Sequence, residues 1–161
     1  MLYRSLVLTA AAGILAGCAT QPLTTTIPPK PTPTVPAPVI VPNSDWENLG
    51  VSPNGNILNE IDKLSIKRDG DQVTFRDRKT IFNLRRENFL STPRHKISLN
   101  SWQIDCNSRT YRLLAMVLFD ENGRQVASFS YNDTQIKPMP VVQNSASYQQ
   151  MLYVCKHNDG S

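Results

Sequence analysis

From Trp46 to Tyr131 hydrophobic and polar residues alternate with the period of two expected of half-buried strands, and turn-forming residues interrupt the alternation at short intervals. Trp46 to Val51 is a first apolar run, stopped by Ser52-Pro53-Asn54-Gly55, where proline fixes φ and Asn-Gly accepts a left-handed turn. Ile57 to Ile61, continuing through Asp62-Lys63-Leu64-Ser65-Ile66, predicts a second strand that closes at Asp69-Gly70-Asp71. Val73 and Phe75 open a third. The alternation breaks beyond Asp77, which predicts a bulge or bend near Asp77 to Lys79 before Ile81 to Leu84 resumes. Residues 87–98 contain Pro93 and few apolar side chains, and are predicted as a loop.

The clearest hairpin follows. Trp102, Ile104 and Cys106 share one face, Gln103 and Asp105 the other, and Asn107-Ser108 turns the chain into Tyr111 to Phe119. That strand is apolar on both faces apart from Arg112, which predicts a central place in the sheet. Asp120-Glu121-Asn122-Gly123 is a strong hairpin turn leading to a strand over Val126 to Tyr131. After Pro138 and Pro140 the period changes: Tyr148, Met151, Leu152 and Cys155 fall on one helical stripe. Cys106 thus points with the buried face of a strand and Cys155 with the apolar face of a helix. The two periodicities predict a disulfide that staples helix to sheet, with two separate buried thiols as the alternative.

The first 42 residues have a different character. Arg4 precedes an apolar run from Leu6 to Leu15, and small residues lead to a cysteine, as in an export signal. Leu15-Ala16-Gly17-Cys18 resembles the lipobox of bacterial lipoproteins, in which the cysteine is lipidated and becomes the first residue after cleavage. An ordinary signal peptide or a short transmembrane anchor is the alternative, but the run is shorter than the roughly eighteen residues a spanning helix needs. Ala19 is not the aspartate that retains such lipoproteins at the inner membrane, which favours the outer membrane. Eight of the twelve prolines then lie between Pro22 and Pro42 and form a polyproline-prone tether. The expected organisation is a signal over 1–17, a lipidated Cys18 with a Pro/Thr-rich tether over 18–42, one folded domain over 43–157 and a flexible tail over 158–161. Export into an oxidising compartment makes Cys106 and Cys155 a natural pair.

A formal charge of +4 would invite a nucleic-acid reading in a cytosolic protein, but export removes most of that option and leaves anionic lipid, polysaccharide or an acidic protein surface. Chemistry is hard to find. The two histidines, His95 and His157, lack metal-ligand spacing, and there is no C-x-x-C, nucleophile elbow or phosphate-binding loop. Asp62 reads as a turn or capping residue and Asp105 as solvent-facing or ion-paired, so no catalytic residue is assigned and an enzyme is not expected. Two basic groups stand out: Arg76, Arg78, Lys79, Arg85 and Arg86, and then Arg94, His95, Lys96, Arg109 and Arg112 beside Trp102 and Tyr111. Arginine beside aromatics is the composition of interface hot spots, although a solvated charged face gives the same string.

At these residues the chain resembles the surface-adhesin protein E family of bacterial lipoproteins. The resemblance is carried by Ile61-Asp62 to Ser65-Ile66, Trp102-Gln103-Ile104-Asp105-Cys106 with Arg109-Thr110-Tyr111-Arg112, the Phe119-Asp120 hairpin end and Tyr153-Val154-Cys155. It implies an α+β fold: an antiparallel, PAS-like sheet of about six strands with a C-terminal helix disulfide-linked to it. It also implies a dimer and attachment to host vitronectin and laminin; the residues themselves call for no cofactor, and haem binding enters by the resemblance alone. Mapped by position, the adhesive segment is Arg94, His95 and Lys96 together with Trp102, Arg109, Tyr111 and Arg112. Two functional readings follow: a surface-exposed binding module for host matrix proteins, or a periplasm-facing outer-membrane lipoprotein serving an envelope assembly. The anchor is directly testable. Metabolic labelling with a fatty-acid analogue is expected to mark the wild type and leave Cys18→Ala unmarked, and equal labelling of both removes the assignment.

Overall fold

The computed structural model describes residues 41–156, so the export signal, Cys18, all but the end of the tether and the tail lie outside the described residues. Seven strands and one helix follow in the order β1 (Trp46–Val51), β2 (Ile57–Asp69), β3 (Gln72–Ile81), β4 (Ile97–Asp105), β5 (Thr110–Phe119), β6 (Gln125–Ser130), β7 (Met139–Pro140) and α1 (Ala146–Lys156). The sheet is antiparallel throughout and runs β1-β2-β3-β4-β5-β6 in chain order, with the two-residue β7 pairing the start of β5. The expected α+β architecture of about six strands with a C-terminal helix is therefore the observed one.

Alternation chooses the inner face. Val73 and Phe75 pair with Ile104 and Trp102 across β3 and β4, and Ile61 joins them from β2. Met151 and Val154 of the helix close over this layer, and Leu49, Tyr111, Tyr148 and Cys155 pack at its margins. Burying side chains of this size contributes roughly 1.5–3 kcal/mol each, which makes this cluster the main source of stability. Cys106 and Cys155 are bonded, with Cα atoms 5.8 Å apart, as the two periodicities predict.

Three local expectations change. The bulge is not at Asp77 to Lys79: β3 pairs β4 without interruption from Gln72 to Thr80, and the register of β2 on β3 shifts between Asp62 and Lys67 instead. Asp77 keeps the inward phase of Val73 and Phe75; it breaks the hydrophobic pattern but not the strand. At the actual bulge, side chains replace the lost ladder: the Arg76 amide donates to Ser65 Oγ at 2.7 Å, and the Leu64 amide to Asp62 Oδ1 at 3.2 Å. Next, the strand expected over Ile81 to Leu84 ends at Ile81 and passes into a single 3-10 turn, Leu84–Arg86, whose Asn83 carboxamide accepts from the Arg85 amide. Last, β5 has partners on both sides but lies next to the edge strand β6, and of its ten residues Leu118 alone is buried.

The two predicted hairpin turns are held by carboxylates. Asp105 Oδ1 accepts the Asn107 and Ser108 amides at 3.0 and 2.8 Å, and Asp120 Oδ1 accepts those of Asn122 and Arg124 at 2.8 and 3.0 Å. Hydrogen bonding, chiefly from Ser108 and Arg124 respectively, holds both below the usual aspartate range. A carboxylate with a depressed folded pKa lends its full stabilisation above the unfolded value of about 3.9 and loses it as pH falls through the folded value. Both turns therefore stay intact at neutral pH and weaken only in strong acid.

Removing the cross-link has a defined cost. The closed loop spans a sequence separation of 49, for which chain-entropy reasoning gives about 4 kcal/mol. Cys106→Ser is expected to lower stability by about 2–5 kcal/mol in denaturant titrations and to expose one reactive thiol at Cys155.

Candidate functional site

The expected adhesive segment runs along β4 and around its turn, and the strand separates its parts. Ile97 pairs with Phe119 at one end of the sheet and Asp105 with Thr110 at the other. At roughly 3.3 Å per residue, the nine residues of β4 hold Lys96 and Arg109 about 26 Å or more apart. Arg94, His95 and Lys96 thus belong to the end built from the β3–β4 connection and the β5–β6 turn. Arg109 and Arg112 belong to the end that carries the disulfide.

At the disulfide end, Arg109 sits at φ 53° in the turn, and its carbonyl accepts the Val141 amide at 2.9 Å. Its guanidinium lies 5.9 Å from the Tyr148 ring centroid, tying the turn to α1. Arg112 donates through Nε to Gln103 Oε1 at 2.6 Å and through its guanidinium to Asp133. Trp102 and Tyr111 pack at 5.5 Å against the core, are half-buried, and each lines a surface recess. Trp102 Nε1 is buried with no hydrogen-bond partner among the described residues, and Lys79 Nζ stands 5.4 Å from its ring.

At the opposite end, Arg94 is exposed. His95 lies 2.8 Å through Nδ1 from the Pro93 carbonyl and packs edge-on against Phe89. Lys96 Nζ donates to the Phe82 carbonyl at 3.1 Å, clasping the connection to which it belongs. A recess of about 260 Å³ lies between Leu84, Arg94, His95 and the β5–β6 turn. Haem does not fit it: His95 is the only described histidine, and the recess is lined mainly by Arg94, Asp120, Glu121 and Arg124 rather than by an apolar slot. No haem chemistry is derived.

The first basic group is mostly internally paired. Arg76 donates twice to Asp62, at 3.2 and 2.5 Å, and Arg78 twice to Glu60, at 2.7 and 2.8 Å, each across a directly paired position of β2 and β3. Arg78 also lies 4.4 Å over Trp46. Asp62 has no exposed side-chain surface and accepts from the Asp45 and Leu64 amides through its other oxygen. Asp62 thus lies within β2 at its bulge rather than in a turn, as a buried ion-pair partner that also accepts two backbone amides. Arg76 also borders a groove of about 490 Å³ lined by Leu64, Lys67, Phe75, Ser101, Trp102 and Leu114. A second recess, of about 370 Å³, lies between Val51, Lys79 and the start of α1.

Asp77 was not singled out by the sequence reading. It is fully buried and accepts from Asn100 Nδ2 and Gln150 Nε2, both at 2.6 Å, with Lys79 Nζ at 3.9 Å. Gln150 lies beside the predicted stripe of α1, and a glutamine there reads as solvent-facing unless its partner is known. Among the described residues no group of three or more His, Cys, Asp or Glu is arranged to hold a metal ion, and no helix is long and apolar enough to cross a membrane.

The protein-family model for surface-adhesin protein E matches residues 46–156, from the first residue of β1 to the last of α1. The chain belongs to that family. Among solved structures, a crystal form of Haemophilus influenzae protein E is similar at 14% identity and a TM-score of 0.48, covering 75% of this chain and 98% of that one. No curated protein matches. The matched range includes both cysteines of the disulfide and the bulge at Asp62.

The buried network gives a test. Asp77→Ala removes the acceptor of Gln150 Nε2 and leaves Asn100 Nδ2 only Ser98 Oγ at 3.2 Å, and is expected to destabilise by about 2–4 kcal/mol in urea titrations. Asp105→Ala, which removes a half-buried carboxylate that holds a surface turn, is expected to shift the midpoint less.

Proposed function

We propose that this protein is a surface-exposed, lipid-anchored outer-membrane adhesin that binds host extracellular matrix proteins such as vitronectin and laminin, acts as a homodimer, and is attached through Cys18. The observation that carries the reading is the family match over residues 46–156, which spans every described element. The tether and lipobox support it from the sequence, since a long proline-rich segment suits a domain working away from its membrane. The absence of any recognisable catalytic or metal-binding motif in the sequence is consistent with a binding protein.

Contact with an acidic host segment is assigned to cations that retain exposure. Arg94 and Arg109 are exposed, whereas Arg112 is half-buried and engaged by Gln103 and Asp133. Because β4 separates the two ends, a single short peptide segment cannot use Lys96 and Arg109 together, so one end carries the affinity. Electrostatic contacts of this kind set the association rate and its salt dependence more than the lifetime of the complex. Surface plasmon resonance on immobilised vitronectin and laminin is expected to show wild-type binding that weakens with salt. Charge reversal at one end, either Arg94→Glu with Lys96→Glu or Arg109→Glu, is expected to reduce it several-fold while the other is nearly silent. No binding by the folded wild type removes the adhesin reading and leaves a periplasm-facing accessory lipoprotein.

A further inference from the structure

A 15-residue connection, 82–96, joins β3 to β4. Its base is firmly held. Asn56 is completely buried, donates to the Asn83 carbonyl at 3.0 Å and to Glu87 Oε1 at 2.5 Å, and accepts the Asn83 amide at 2.9 Å. Arg86 donates to the Asn54 carbonyl at 2.6 Å, and the Ile81 and Lys96 backbones join at 2.9 Å where the connection closes. On this braced base two large apolar side chains are turned outward: Phe82 is 51% exposed and Leu90 89%. Val51, also exposed, lies at the same end of the sheet, beside the register position that pairs Ile57 with Ile81. Within the connection stand four cations, Arg85, Arg86, Arg94 and Lys96, against one acid, Glu87, whose carboxylate is already engaged by Asn56.

We propose that this connection is a contact site for an anionic lipid surface, independent of any covalent lipid. A projecting aliphatic side chain flanked by arginines and a lysine has the chemistry of an interfacial segment: the apolar group enters the boundary between headgroups and acyl chains while the cations meet lipid phosphates. An acidic protein partner is less well matched. Protein hot spots seat anchors in concave, desolvated pockets, whereas the recess beside this connection is lined mainly by charges and Leu90 stands outside it. The contact is weak alone, because two side chains bury little area. It gains effect on a domain already confined near a membrane, where the second binding event is intramolecular.

The test uses residues 19–161, which keep the whole compact unit containing every described strand, the helix and the disulfide but lack Cys18. Co-sedimentation with phosphatidylglycerol-containing vesicles and with pure phosphatidylcholine vesicles is measured at low and high salt. The expected result is binding to the anionic vesicles alone, reduced by salt, and weakened about tenfold by either Leu90→Ser or Arg85→Glu. Val142→Ser, at another exposed apolar position beside the opposite end of the sheet, is expected to change nothing. An intact disulfide and unchanged melting temperature verify that each variant is folded. Equal binding to both vesicle types, indifference to both substitutions, or no vesicle binding by the folded wild type overturns the proposal. So does capture by poly-glutamate in place of vesicles, which would assign the surface to an acidic protein. Neither Leu90 nor Arg85 is among the residues tested against host proteins, so the two readings fail separately.

Discussion

The placement of α1 on the sheet is the constraint from which most of this structure follows. An isolated helix of eleven residues is shorter than the length at which helices persist in water, so α1 exists because it is held. Three different forces hold it. Met151 and Val154 bury apolar area over Val73, Phe75 and Ile104. The Cys106–Cys155 bond fixes the C-terminal end to the turn that follows β4. Gln150 meets Asp77, which gives the interface a polar register point that apolar packing alone lacks. Arg68 adds a cap from 86 residues away, donating to the Val154 carbonyl at 2.9 Å, where the helix leaves acceptors unpaired.

Legibility in the sequence divided along a physical line. Features expressed by one element were readable: the alternation of Trp102, Ile104 and Cys106, the Asp120 to Gly123 turn, and the helical stripe that ends at Cys155. Features requiring two elements at once were not. Asp77 interrupts a hydrophobic alternation, and without knowledge of Asn100 and Gln150 the economical reading is a bulge. The bulge at Asp62 to Lys67 was hidden for the opposite reason, because Ile61, Leu64 and Ile66 supply apolar residues through it, and Ser65 stands in for a missing ladder partner. The stripe on α1 was likewise read slightly rotated, since Gln150 is buried and polar while Tyr148 and Leu152 lie at the margin.

The candidate site was harder still. A basic segment that is contiguous in sequence is expected to form one patch only if it folds locally, as a loop or a helix turn. Here the segment from Arg94 to Arg112 contains a complete strand, and a strand is the most extended way to separate its own ends. Trp102 and Tyr111, which read as contact aromatics by proximity in sequence, are half-buried and pack against the core. What survives at the surface is two separate cationic ends, one braced by Asn56 and the other by Tyr148 and Val141.

The cross-link divides the domain unevenly. Everything from Cys106 to Cys155, including β5, β6 and β7, lies inside a covalently closed loop, whereas the chain enters at β1, an edge strand paired only with β2. Tension arriving along the chain from residue 41 therefore falls first on the β1–β2 ladder and on the Lys63 contacts to Asp45 and Glu47, at 3.0 and 3.7 Å. Those are reversible contacts that can part and re-form. The half of the domain beyond Cys106 cannot lengthen under the same load while the sulfurs remain joined, so the fold has a compliant entrance and an inextensible body.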